Sequence, residues 1–168
     1  MEKRIFPYDI LLDNIRSALN VGAIFRTCDS AGVRKLHLCG ITPYPPHNRI
    51  PKTALGAEDT VEWEKASNPV EHIQQLKKAG HRIFVVEQTP HSKRFNEAEY
   101  PENTVLVFGH EITGVSPEVI ALADECIELP MFGSKESLNV ATTAGILAYH
   151  VSLQMENKLL LQDKKTYY

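Results

Sequence analysis

Short apolar runs alternate with segments of helical periodicity along this chain, and that alternation narrows the folds open to it. Tyr8 to Leu12 is such a run; Lys35 to Cys39, the Val-rich Arg82 to Glu87 and Thr104 to Phe108, and Cys126 to Leu129 are further segments of strand length. Between the first two, Val21, Ile24, Phe25 and Cys28 recur at i, i+3, i+4 and i+7, an amphipathic helical stripe that stops near Gly32. Asn68-Pro69-Val70-Glu71 supplies a cap, a proline at the first helical position and a glutamate at the third; this helix ends at Gly80. Ser116-Pro117-Glu118 opens another helix. The last long helix begins near Asn139 and buries Val140, Ala144, Leu147 and Val151. Largely apolar strands separated by helices predict an α/β fold, a parallel sheet covered by helices on both faces.

The chain has 168 residues, 43% of them hydrophobic, with no internal repeat and no low-complexity linker, so one domain over residues 1–168 is the simplest division. A charged fraction of 23% and a net charge of −3 exclude a disordered chain and a strongly basic one. Indiscriminate nucleic-acid binding is disfavoured, whereas a local basic patch is not. Cys28, Cys39 and Cys126 are widely spaced in apolar surroundings and read as buried free thiols. The seven histidines show no metal-ligand spacing. Without a signal-peptide core or an apolar run of membrane length, a soluble cytoplasmic protein is expected.

Three separated segments carry the polar residues that matter most: Asn20 to Thr27, Phe108 to Val115, and Leu129 to Met131 continued by Ser137 to Val140. Polar groups at the C-terminal ends of strands are where open α/β sheets bind ligands. Arg26 lies about 140° around the helical wheel from the apolar stripe, so it points away from the core. Alone it would read as a solvated surface arginine, and Asn20 as a helix cap. Glu111, between Gly109 and Gly114, sits in a loop whose glycines permit close approach to a ligand; its plain reading is a turn glutamate. Ser137 reads as the cap of the last helix. Thr42 to Lys52 holds four prolines and forms an extended basic strap, where Arg49 and Lys52 can meet phosphates and Tyr44 can stack on a base.

In this order, the three segments resemble the SpoU (TrmH) family of RNA ribose 2′-O-methyltransferases, of the SPOUT superfamily, from about Tyr8 to Leu153. The resemblance implies methyl transfer from S-adenosyl-L-methionine to a ribose 2′-hydroxyl of tRNA or rRNA, without a metal, by a homodimer whose C-terminal third forms a deep trefoil knot. It assigns catalysis to Arg26, Asn20, Glu111, Ser137 and Asn139, with Arg26 acting at the 2′-hydroxyl, if need be across the subunit interface. A guanidinium stays protonated, so Arg26 is expected to stabilise developing negative charge rather than act as a free base. Cofactor contacts fall to Glu87, Gln88, Phe108, Gly109, Leu129, Met131, Ser137 and Leu138. RNA contacts fall to Asn14, Arg16, Tyr44, Arg49 and Lys52. The family segment usually has Asn where this chain has His110. Two rivals are a non-catalytic RNA- or cofactor-binding protein of the same fold and a base methyltransferase. Retention of the polar motif residues opposes the first, and the Arg26 and Ser-Leu-Asn segments oppose the second.

Overall fold

In the computed structural model, which describes residues 2–165, seven parallel strands form one sheet in the order β3-β2-β1-β6-β4-β7-β5. The strands are β1 (Phe6–Asp13), β2 (Val33–Cys39), β3 (Glu62–Ala66), β4 (Arg82–Val86), β5 (Lys93–Arg94), β6 (Thr104–Gly109) and β7 (Glu125–Glu128). Side-chain parity separates two cores. Tyr8, Ile10, Leu12, Leu36, Leu38, Phe84, Leu106 and Phe108 face helices α1 (Ala18–Ala31) and α5 (Val140–Lys165). Leu11, Cys39, Ile83, Val85, Val105 and Val107 face α3 (Pro69–Lys78) and α4 (Pro117–Ile120). Burial on both faces is why β1, β4 and β6 are largely apolar, whereas β2 alternates Lys35 and His37 with Leu36 and Leu38.

Strands β3 and β5 were not among the predicted runs. Both lie at sheet edges and carry polar sequences, Glu-Trp-Glu-Lys-Ala and Lys-Arg, so no apolar run marks them. Trp63 is the exception within β3; it packs edge-on against Phe25 of α1, with ring centroids 6.5 Å apart.

Two helix starts differ from expectation. Helix α1 begins at Ala18 and is capped by Ser17, whose hydroxyl accepts from the Asn20 N–H at 3.2 Å, so Asn20 lies inside the first turn with its amide free for other work. The cap of α5 is Asn139 rather than Ser137: its Oδ1 accepts from the N–H groups of Ala141 and Thr142 at 2.9 and 3.2 Å. The expected cap of α3 is present, Asn68 accepting from Glu71 N–H at 3.2 Å.

The proline-rich strap ends in a helical turn, α2 (Pro51–Ala54), and Ile50 and Ala54 are buried. It rests directly on α1 because Gly22 has no side chain; a Cβ there would strike Thr53 and the Ile50 carbonyl. Helix α5 packs against α1 through Ala144, Leu147, Ala148 and Val151. The buried Tyr8 hydroxyl stitches this layer together, 2.8 Å from both the Ala148 carbonyl and Ser152 Oγ, and Ser152 lies 2.6 Å from the Ala31 carbonyl. Among the described residues no helix is long and apolar enough to cross a membrane.

Candidate active site

The loop after β6 organises the site. Beyond Gly109 the chain turns back on itself, and His110 and Gly114 exchange backbone hydrogen bonds of 3.1 and 2.8 Å. A Cβ at Gly109 would run into the backbone of Gly114 and Val115, so the turn requires glycine there. Two carboxylates at strand ends hold the loop from outside: Glu87 Oε2 accepts from Val115 N–H at 3.0 Å, and Asp13 Oδ2 from Ser116 N–H at 3.1 Å. His110 Nδ1 accepts from the N–H groups of Ile112 and Thr113, which assigns the ring proton of the neutral imidazole to Nε2.

Glu111 leaves this loop to meet the start of α1. Its Oε2 accepts from Arg16 N–H at 3.0 Å, and its Oε1 accepts from Ser17 N–H at 3.0 Å and Asn20 Nδ2 at 3.2 Å. Partial burial opposes its charge, but the backbone hydrogen bonds from Arg16 and Ser17, with help from Asn20, outweigh it and hold the carboxyl below the usual carboxylate range. Glu111 is therefore ionised at neutral pH and its oxygens are occupied. That suits positioning better than proton transfer. Asn20 passes the connection on: its Oδ1 accepts from Asn139 Nδ2 at 3.3 Å. Glu111, Asn20 and Asn139 thus join the three sequence segments in one hydrogen-bonded line.

Beside that line, at the C-terminal ends of β4, β6 and β7, lies a cleft of about 580 Å³. Glu87, Gln88, Phe108, Gly109, Leu129, Met131, Ser137 and Leu138 all line it, together with Glu111 and Asn139. Gln88 donates to the Glu136 carbonyl at 3.0 Å and so ties the 132–138 loop to the end of β4. A second cleft, of about 690 Å³, is lined by Arg16, Leu19, His47 and Arg49 and shares His110, Glu111 and Ile112 with the first.

The other expected RNA and catalytic residues are dispersed. Arg26 is exposed and lines a third cleft, of about 470 Å³, with Lys52, Thr53, Leu55 and Tyr149; within one chain it does not line the cleft of Glu111 and Asn139. Tyr44 lies beneath Lys65, whose Nζ is 4.2 Å from the ring centroid. The Asn14 side chain braces the loop after β2, accepting from Ile41 N–H at 2.9 Å and donating to Asp13 at 3.0 Å. Sequence reasoning overlooked Asp13, Ser17 and His47. Asp13 closes an apolar strand and Ser17 precedes a helix, and those positions were the available signals.

The sequence model of the SpoU rRNA Methylase family matches residues 7–149. The chain belongs to that family. The tRNA (guanosine(18)-2′-O)-methyltransferase of Aquifex aeolicus is 36% identical over 162 residues, spanning 94% of this chain and 74% of that protein. The enzyme of the same description from Thermus thermophilus is 32% identical over 145 residues, 86% of this chain and 74% of its own length. The crystal structure of the A. aeolicus TrmH/SpoU tRNA modifying enzyme superposes with a TM-score of 0.84 at 36% identity, covering 94% of this chain and 79% of the other. The SpoU motifs recognised in sequence are the segments that Glu111, Asn20 and Asn139 hold together.

Proposed function

We propose that this chain is a single-domain, cytoplasmic RNA methyltransferase that uses S-adenosyl-L-methionine to methylate a ribose 2′-hydroxyl in tRNA or rRNA. The hydrogen-bonded line Glu111–Asn20–Asn139, between a cofactor-sized cleft and a basic one, carries this reading. The relatives' names put tRNA first among substrates to test. The proposed fold includes the C-terminal trefoil knot that the family resemblance implies; β7 pairs alongside β4, and the chain then lines the cleft at the strand ends before α5 packs on α1.

The residues present fit the cofactor. A volume of about 580 Å³ is in the range of small-molecule sites, Phe108, Leu129 and Leu138 supply apolar walls, and the turn at Gly109, too tight for a side chain, brings the 110–115 backbone to the cleft's edge. When bound, the cofactor would supply an electrophilic methyl group on its sulfonium sulfur, with the neutral thioether as leaving group in transfer to the 2′-oxygen. Ser137 and Asn139 face that step from the mouth of α5. Asn20 and Glu111 hold the start of α1 in register with it, so that positioning provides much of the acceleration. Arg16 and Arg49 line the basic cleft that receives phosphates.

Arg26 completes the site from a second subunit. Its cleft includes Tyr149 of α5, and the exposed apolar side chains Leu19, Ile146, Tyr149 and Leu153 on α1 and α5 support a homodimer face there. From the partner, the guanidinium stabilises the developing alkoxide and the adjacent phosphate. The deciding experiment is nucleoside mass spectrometry of tRNA and rRNA treated with the purified protein and cofactor. Appearance of a 2′-O-methylnucleoside is expected; a methylated base with no ribose product would overturn the reading.

A further inference from the structure

Remote from the methyl-transfer clefts, three elements converge on a group of metal-ligating side chains that the sequence spacing does not announce. His37 comes from β2, Glu64 from the edge strand β3 and His72 from α3. His37 Nδ1 lies 2.8 Å from His72 Nε2 and 3.1 Å from Glu64 Oε1, and His72 Nε2 lies 3.3 Å from the same Glu64 oxygen. None of the three lines either cleft of the proposed active site.

We infer that His37, Glu64 and His72 form a binding site for a zinc-class divalent metal ion, with solvent in a fourth position. Bonds of about 2.0–2.1 Å in tetrahedral arrangement place donor atoms about 3.3 Å apart, so the triangle is already close to the required size. Ligand chemistry agrees, since two imidazoles and one carboxylate suit zinc and its neighbours better than magnesium or calcium. The outer partner is also in place: Asp9 Oδ2 lies 2.9 Å from His37 Nε2, an arrangement that takes the ring proton there and turns the Nδ1 lone pair into the triangle. Asp9 is itself held by Arg34 Nε at 2.8 Å. Lys35 Nζ engages the other Glu64 oxygen, Oε2, at 3.2 Å and leaves Oε1 for the ion.

Hydrogen bonding alone serves the triangle poorly. One proton on His72 Nε2 can be shared between His37 Nδ1 and Glu64 Oε1, but those two acceptors then face each other lone pair to lone pair. A cation makes all three contacts attractive. Access is graded in the direction an entering ion needs, the side chains of His37, His72 and Glu64 being 2%, 12% and 41% exposed. Occupied, the site would fasten the polar edge strand and α3 to the body of the sheet.

The test uses the full chain, stripped with a chelator and titrated with cobalt(II), then zinc(II). One equivalent of cobalt per chain is expected, with the visible absorption of a four-coordinate ion that zinc displaces, and a higher melting temperature with zinc. Glu64→Gln and His72→Gln should each abolish the absorption, and Asp9→Asn should weaken affinity by about 10- to 100-fold. His91→Gln, outside the cluster, should leave it unchanged. Absence of stoichiometric binding to the wild-type chain would overturn the inference however the variants fold. So would unchanged binding by both ligand variants with native circular dichroism.

Discussion

Replacing Glu111 with glutamine tests whether the loop after β6 is coupled to α1 through a charge. Wild-type Glu111 accepts three hydrogen bonds, from Arg16 N–H, Ser17 N–H and Asn20 Nδ2. Glutamine retains one accepting oxygen and sets an NH2 group against at least one of those donors. Hydrogen bonds to a charged acceptor contribute about 1.5–3 kcal/mol each when well shielded, and a negative charge at a helix start adds about 0.3–1 kcal/mol. Glu111 is exposed, so solvent screening reduces the expected loss to about 1–2 kcal/mol, or roughly 2–8 °C in melting temperature for a chain of this size. The sign follows from its depressed carboxyl pKa. Stabilisation from the charge is present above the unfolded-state value, about 4.3, and disappears as pH falls through the lower folded-state value. Scanning calorimetry of both proteins from pH 7 to pH 3 should show the gap at neutral pH and its narrowing as pH falls below the unfolded-state value. A gap absent at pH 7, or one that stays constant down to pH 3, would refute the coupling through charge.

Arg26→Ala should retain cofactor affinity by calorimetry and lose methyl transfer, and Arg26→Lys should fail as well because an ammonium lacks the guanidinium fork; near-wild-type turnover would make Arg26 a surface charge. Gly109→Val should abolish cofactor binding while circular dichroism stays native, since its branched side chain meets the Gly114–Val115 backbone. Mixing Arg26→Ala chains with Gly109→Val chains should restore part of the activity if each site draws on two subunits, and sedimentation of a monomer at micromolar concentration would contradict that. Replacing Arg49 and Lys52 by alanine should lower the slope of log RNA affinity against log salt by about 0.7–0.9 for each phosphate that the protein ceases to neutralise; an unchanged slope with intact cofactor binding would make the strap a connector.

The central strands were legible because each buries both faces, so that Tyr8–Leu12, interrupted only by Asp9, and Val105–Phe108 stand out as apolar runs. The edges were not. Strand β3 exposes its charges, and only its pairing with β2 reveals it as a strand. Helix ends were half legible: the Asn68 cap has a local signature, whereas Ser17 in place of Asn20, and Asn139 in place of Ser137, depend on where the chain turns. Motif order collected residues that line one cleft at the strand ends, but no sequence pattern states that Asn20 bridges Glu111 to Asn139 or that Arg26 faces another surface. The His37–Glu64–His72 triangle was invisible for a related reason. Its members come from two strands and a helix, and their proximity is a product of sheet register and helix docking.

The segment His110 to Ile112 is a party wall between the cofactor cleft and the basic cleft. The loop that carries it is fastened on one side to the end of β4, where Glu87 accepts from the Val115 N–H, and on the other to the start of α1, where the Glu111 side chain accepts from the Ser17 N–H. An occupant of either cleft that changes the position or freedom of this wall changes the free energy of filling the other. Thermodynamic reciprocity then binds the two events: the factor by which cofactor alters RNA affinity must equal the factor by which RNA alters cofactor affinity. Measuring one coupling therefore gives the other, and the order in which the two substrates bind becomes a question of rates alone.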